Sequence, residues 1–130
     1  MHDAIYIAAP PGTTWPLDLD TADQHLQEHF PDLRARLKHA PLAGKDYLEF
    51  ETTLAGEPRH GSYFDRSHLI LRDGPPAFWA EIIAWFLTLL PEDVAAVAML
   101  EANPEHLAPL PPHPTPDQVL ELLDTLEQTE

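Results

Sequence analysis

The residues with the clearest chemical potential are two histidines one helical turn apart. His25 and His29 bracket a glutamate, Glu28, in the stretch His-Leu-Gln-Glu-His. On a helix, side chains four positions apart lie on one face, where two imidazoles can hold a Zn²⁺ ion. Glu28 would stand beside that ion as a base. The pattern predicts a metal site at His25 and His29 and, as one alternative for the function, a metal-dependent hydrolase.

The spacing His-x-x-Glu-His resembles that of the inverzincin metallopeptidases, and the resemblance is confined to this short stretch. It implies a zinc-dependent peptidase, with Glu105 as a conceivable third ligand. Pro31 follows closely, however, and a proline removes a helical hydrogen bond, so the helix should break or kink near Phe30. The competing interpretation is a solvated helix face on which the two histidines bind metal only adventitiously.

A second group of polar residues lies at 59–68, where serine, histidine and aspartate occur beside two arginines. Arg59, His60 and Arg66 form a positive group in an acidic chain, so they predict a contact for a small anion or another ligand. Nucleophilic catalysis would need Ser, His and Asp side chains to converge, whereas neighbours on a strand point to opposite faces. The plainer interpretation is a hairpin with a polar outer face.

The formal net charge is −15, from 22 Asp and Glu against seven Lys and Arg. Such a charge repels phosphate backbones and anionic membranes, so we expect no direct nucleic-acid or membrane binding. It attracts a basic protein, which predicts a protein-binding module such as an inhibitor or immunity-type protein. The same charge also serves solubility alone. The acids expected to contact a basic partner are Glu49, Glu51, Asp117, Glu121, Asp124 and Glu127.

The composition of the chain and the absence of known binding motifs exclude several classes of function. The 130 residues contain no cysteine, which excludes disulfides and thiolate catalysis. There is no P-loop, dinucleotide-binding glycine pattern or EF-hand loop, so we expect no cofactor and a binding protein rather than an enzyme. The N-terminus lacks the basic region of a signal peptide, and a cytoplasmic location is expected. The preference for Arg over Lys, with abundant Ala, Leu and Pro, is typical of a GC-rich bacterial source.

Residues 76–90 predict a helix that is apolar on nearly every side. Such a helix must be covered on more than one side, either by other elements of the chain or by a second subunit. The second case gives the other alternative for the function. It is a homodimer built on this helix, with or without a small ligand at the subunit junction.

Periodicity and capping signals predict the remaining elements. Strands are expected at 4–9, 46–54, 59–64 and 68–72. Capping boxes, each with a side-chain acceptor followed three residues later by Gln, begin helices at Thr21 and Thr115. A further short helix is expected from Pro31 to His39. Residues 92–102 fit a strand or a helix, and the strand is favoured because it would complete the sheet. Residues 103–114 predict a proline-rich loop.

The order of these elements predicts the fold class. Strand, helix, strand, strand, helix, strand is the split βαβ, ferredoxin-like order βαββαβ, here followed by a C-terminal helix at 116–127. We therefore expect one globular α+β domain over residues 1–130. Its sheet should be mostly antiparallel with four to five strands, and its helices should pack on one face.

Overall fold

The computed structural model describes residues 4–31, 33–39, 46–54, 57–72, 76–101 and 105–128. Its described strands form one seven-stranded sheet in which every neighbouring pair is antiparallel. The strands are β1 (Ile5–Ala8), β2 (Arg34–His39), β3 (Asp46–Leu54), β4 (Glu57–Phe64), β5 (His68–Arg72), β6 (Ala96–Leu100) and β7 (Ala108–Leu110). The helices are α1 (Leu19–His29), α2 (Pro76–Leu87) and α3 (Pro116–Gln128).

The strands lie in the order β2-β3-β4-β5-β1-β6-β7, which corrects the predicted fold. The α+β class, the antiparallel pairing and the C-terminal helix are as expected. The four- to five-stranded ferredoxin-like sheet is wrong, because the chain forms two further strands. β2 occupies a segment predicted to be helical, and β7 lies within the predicted proline-rich loop. Residues 92–102 do contain the favoured strand, β6.

The misassignment of β2 has a simple cause. Leu26, Phe30, Leu33 and Leu37 recur at helical spacing, but α1 ends at His29 and Pro31 follows. Beyond that break the chain alternates Arg-Ala-Arg-Leu-Lys with the period of a strand, and β2 pairs with β3 along its whole length. The alternation after the proline therefore decides the structure of this segment.

The sheet has one face covered by helices and one face that no described helix covers. Most strand residues of the buried core, such as Ile7, Leu71 and Phe50, share the covered face with the apolar sides of the helices, whereas Ile70 is buried on the other face beside Tyr6. Their sequence neighbours point the other way by the alternation of a strand. We call this second surface the open face, and it carries one side chain in two from every strand.

Most of the described side chains of helix α2 are buried within the chain. It packs against α3, and its Trp79, Ile83 and Phe86 are almost fully buried. Trp85 stays half-buried and Glu81 is exposed. Most of the described side chains of this helix are therefore buried by internal packing, and the α2-mediated homodimer stays a prediction.

One of the two predicted helix caps is wrong and the other is confirmed. α1 begins at Leu19, and Asp18 is its cap, because the Asp18 carboxylate accepts a hydrogen bond from the backbone N–H of Thr21 at 2.8 Å. This bond holds the pKa of Asp18 below its usual range. At α3, Thr115 and Gln118 exchange the two reciprocal bonds of a capping box, at 2.9 and 3.2 Å.

Two aromatic residues fasten the loop before α1 to the core. The hydroxyl of Tyr63 on β4 donates to the carbonyl of Leu17 at 2.6 Å, and the indole of Trp15 donates to the carbonyl of Ala95 at 3.0 Å. Burial raises the pKa of Tyr63 far above that of a free phenol. None of the helices in the described ranges is long and apolar enough to cross a membrane.

Candidate functional site

A row of rings crosses the open face. Tyr47 on β3, Phe64 on β4 and His68 on β5 are in register with one another. The ring centroids of Tyr47 and Phe64 are 4.7 Å apart, and those of Phe64 and His68 are 4.4 Å apart. Tyr6 on β1 continues the row more loosely, with its ring 6.5 Å from that of His68. We call these four residues the aromatic row.

The rings of the row stand on edge. Adjacent rings among the first three are within 16° of parallel, so both faces of Phe64 and one face each of Tyr47 and His68 are occupied by a neighbouring ring. Solvent therefore meets ring edges, which carry the positive end of the aromatic quadrupole. Edges of this kind favour oxygen acceptors such as carboxylates and carbonyls.

Apolar side chains extend the row towards the far side of the sheet. Ala8 and Val97 continue the register of His68, and Met99 lies beside Tyr6. All three are half-buried, and none belongs to the hydrophobic core. The open face thus has an apolar centre that the described helices leave uncovered.

Basic side chains border this apolar centre along β2 and at the end of β5. Arg34, Arg36 and Lys38 alternate along β2, and Arg72 ends β5 on the same face. All four side chains are exposed, and Arg72 donates to the hydroxyl of Ser62 at 3.3 Å. A shallow depression of about 230 Å³ lies between β2 and β4. Its lining includes Arg34, Arg36, Glu49, Glu51 and His60.

The two glutamates predicted to contact a basic partner lie among these cations. Glu49 forms an ion pair with Lys38 at 3.2 Å, and Glu51 lies 3.3 Å from the imidazole of His60. Their register neighbours on β2 are arginines. Basic groups therefore adjoin both carboxylates, which are partly exposed among them.

The other four predicted acids lie elsewhere, on the outer side of α3. Val119, Leu123 and Leu126 turn the opposite side of this helix into the core. The structure therefore splits the predicted partner-binding set between the open face and the helical layer. The exposed acids of α3 are Asp117, Glu121, Asp124 and Glu127.

Charge is strongly segregated along the chain. All seven Lys and Arg fall between residues 34 and 72, together with five of the 22 Asp and Glu, so this segment has a net charge of +2 and the remainder −17. The segment contains β2 to β5, which form one half of the sheet. The helices α1, α2 and α3 contain no Lys or Arg. One side of the molecule is therefore mildly basic and aromatic, and the helical side is acidic.

The predicted anion-binding trio does not converge. Arg59 shares the covered face with its register neighbour Thr52, whereas His60 lies on the open face beside Arg72. Arg66 lies in the turn beyond the other end of β4, with a positive φ of 58°. The three residues thus face three different environments, and only His60 belongs to the candidate surface.

The predicted metal pair lies on α1, at its end nearest α2. The ring of His29 stacks on Trp85 with centroids 4.1 Å apart and planes 10° apart, and it meets Phe30 edge-on. Glu28 accepts a hydrogen bond from Gln24 at 3.3 Å. Within the part of the chain that the structure describes, no three His, Asp or Glu side chains are grouped to hold a metal ion. His29 has an evident packing role, and the metal site at His25 and His29 stays a prediction.

One contact between a potential nucleophile and a base occurs at the β4–β5 turn. The hydroxyl of Ser67 lies 2.8 Å from Nδ1 of His68. The two residues are adjacent in sequence, and His68 is stacked between Phe64 and Tyr6. Neither lines the depression on the open face. A local hydrogen bond that orients the His68 ring accounts for this geometry.

Sequence reasoning missed the aromatic row because its members come from four strands whose register was not derivable. The alternation of β3 did place Tyr47 away from the core, beside Glu49. The antiparallel pairing then adds Phe64 and His68 to Tyr47. The run of alternating cations in 34–38 was a usable signal for an exposed edge strand.

Comparisons of the chain with protein-family models, with curated proteins and with solved structures found no significant match.

Proposed function

We propose that this chain is a protein-binding module that holds its partner against the open face of the sheet. The observation that carries the proposal is the aromatic row, which crosses four strands on a face left uncovered by the described helices. Contiguous apolar surface of this kind is characteristic of interaction sites. The partner would bury the apolar centre and meet charged groups at its border, as is usual in protein interfaces.

The chemistry of the open face indicates what its partner should present. Ring edges and the cations Arg34, Arg36 and Arg72 favour carboxylates and carbonyl groups. Ala8, Val97 and Met99 favour an apolar contact. The fitting partner surface is therefore an apolar patch bordered by Asp and Glu.

Single-stranded nucleic acid fits this face less well. Bases bind proteins by stacking on free ring faces, with affinity supplied by cations along the phosphate backbone. Here Tyr47, Phe64 and His68 already stack on one another, and Glu49 and Glu51 stand among the cations. The net charge of −15 adds a long-range repulsion.

A second candidate is the capture of a basic protein by the helical layer, in the manner of an inhibitor or immunity-type protein. The observation that favours it is the charge segregation, because three helices without Lys or Arg present exposed acids to solvent. A surface that carries charge of one sign attracts a partner of the opposite charge and steers it during association. Here α3 carries the relevant acids, and the glutamates of β3 do not.

Site-specific photo-crosslinking in the source cells separates the two candidates. A benzophenone amino acid is placed at Arg72 on the open face or at Glu121 on α3, both exposed positions. The open-face proposal expects a discrete crosslinked protein from position 72 and none from position 121. The basic-partner candidate expects the reverse, with a basic protein captured from position 121.

Two substitutions that make the same change of charge at different places then test where the recovered partner binds. Arg72→Glu alters the open face, whereas Arg66→Glu makes the same charge change in the turn beyond β4. For an open-face partner we expect about a tenfold or greater loss of affinity from Arg72→Glu and a small change from Arg66→Glu. Equal affinities for the two variants would contradict the proposal. The unfolding temperature of each variant shows whether the fold is kept.

A further inference from the structure

We propose that the outer edge of β2 takes up an extended acidic segment of a partner protein as an additional antiparallel strand. β2 is the first strand of the sheet and, among the described strands, pairs with β3 alone. Alternate residues of an edge strand turn their N–H and C=O groups away from the sheet, where a further strand can bind. The proposal concerns the edge of the sheet and goes beyond the function proposed for its open face.

The side chains of β2 specify the pattern of the incoming strand. Arg34, Arg36 and Lys38 lie on the open face, and Ala35 and Leu37 lie on the opposite side. Residues opposite one another across a strand pair share a face and interact directly. The incoming segment therefore needs acidic residues on one side and apolar residues on the other, in strict alternation.

Two of the three cations are available for such a segment. Lys38 is paired with Glu49 at 3.2 Å, whereas no ion pair joins Arg34 or Arg36 to any residue that the structure describes. Both arginines are exposed and border the same depression. A guanidinium binds a carboxylate through two parallel hydrogen bonds, so these arginines select glutamate or aspartate.

The other side of β2 supplies an apolar contact. Leu37 is 63% exposed, compared with 45% for Leu107. It lies at the edge of the sheet, on the face that the helices cover elsewhere. An apolar side chain of an added strand would cover Leu37 and extend the hydrophobic layer beyond Ala35.

The same pattern argues against a second copy of this chain as the occupant. An antiparallel β2–β2 pair would set Arg34, Arg36 and Lys38 opposite the same residues of the other copy. Like charges directly opposite each other destabilise a strand pair, and basic residues protect many edge strands in this way. The basic residues alone would protect the edge from pairing with another copy, so this protection does not explain why Leu37 is exposed. Because one side of β2 is basic and the other is apolar, a second copy of β2 would pair unfavourably with it. A strand that alternates acidic with apolar residues would pair favourably.

Synthetic peptides provide the test. The probe is a labelled six-residue peptide that alternates glutamate with isoleucine, and the control has the same composition in two blocks. Binding to the full chain is followed by fluorescence anisotropy at low ionic strength. The probe is also made with N-methyl groups on alternate residues, in each of the two possible phases. In one phase the methyl groups replace the N–H groups that would bond to β2, and in the other phase they point away.

The proposal expects saturable binding of the alternating peptide and about tenfold weaker binding of the block peptide. N-methylation should abolish binding in one phase and preserve it in the other. The variant Arg34→Gln/Arg36→Gln should weaken binding about tenfold, while the matched change Arg66→Gln, in the turn beyond β4, should not.

Three results would overturn the proposal. They are equal binding of the alternating and block peptides, equal effects of the two N-methylation phases, and no binding at millimolar peptide. The first two would show attraction by charge without strand pairing. If the peptides do not bind as expected, the open-face proposal is unaffected, because it is tested separately at Arg72 with a different partner surface.

Discussion

The rings of Phe64 and His68 lie face to face across β4 and β5, with centroids 4.4 Å apart and planes 13° apart. This contact links the two middle members of the aromatic row, and the pairing of Tyr47 with Phe64 extends it to β3. Rings stacked in this way stabilise the sheet by cross-strand contact and leave their edges to solvent. The row is therefore both a structural element and the most distinctive surface of the molecule.

The first prediction concerns the energetic coupling within the row. Alanine at Tyr47 and Phe64, singly and together, should give a coupling free energy of about 0.5–1.5 kcal/mol, because the two rings contact each other. The free energy of unfolding in urea measures it for each variant. A control cycle pairs Tyr47→Ala with Tyr6→Ala, whose rings are separated by those of Phe64 and His68, and should be additive. Additivity in the first cycle would contradict the role assigned to stacking.

The second prediction concerns the close approach of two strands on the covered face. A Cβ atom added at Gly61 would collide with the ring of Phe50, which lies opposite on β3. Gly61→Ala should therefore reduce the free energy of unfolding by about 1–3 kcal/mol. In a Phe50→Leu background the same change should cost less, because the smaller side chain leaves room. Equal costs in both backgrounds would show that the ring is not the cause.

The third prediction is an alkaline loss of stability. Burial raises the pKa of Tyr63, so the folded protein resists ionisation of a phenol that ionises near its ordinary pKa once unfolded. The stability from this group is complete below about pH 10 and falls by about 1.4 kcal/mol per pH unit above it.

Tyr63→Phe isolates this effect. The variant should lose about 1 kcal/mol at neutral pH with the hydrogen bond to Leu17, and its stability should fall less steeply above about pH 10. Unfolding in urea at several pH values measures the difference between the two proteins. Parallel pH profiles would contradict the link between Tyr63 ionisation and unfolding.

The fourth prediction concerns the confirmed capping box of α3. Thr115→Ala removes the hydroxyl that accepts from the backbone of Gln118, and it should cost about 1 kcal/mol. Thr125 lies inside the same helix, where its hydroxyl donates one turn back to the carbonyl of Glu121. Thr125→Ala should be nearly neutral, since alanine favours helix. Equal losses for the two variants would contradict the capping role.

Local sequence patterns predicted the individual helices and strands of this fold better than they predicted how these elements are arranged in the sheet. The alternation in 46–54 and the capping box at Thr115 each fixed an element correctly, because both depend on neighbouring residues. The capping residue of α1 was misassigned, because Asp18 and Thr21 are both good acceptors and the helix begins before the threonine. β2 was misassigned because leucines at helical spacing continue across Pro31.

The candidate surface depended on information that local patterns lack. Tyr47, Phe64 and His68 become neighbours only through the register of three strands. The split of the predicted acids between β3 and α3 likewise follows from the layer to which each element belongs. The charge segregation, in contrast, was readable from residue positions alone, since every Lys and Arg lies within 34–72.

The most direct test of the central claim is the pair of photo-crosslinks at Arg72 and Glu121, made in the source cells. If the open face holds the partner, position 72 should capture a discrete protein with an acidic, apolar surface, and position 121 should capture none. A basic protein captured from position 121 with nothing from position 72 would contradict the claim and assign binding to the helical layer.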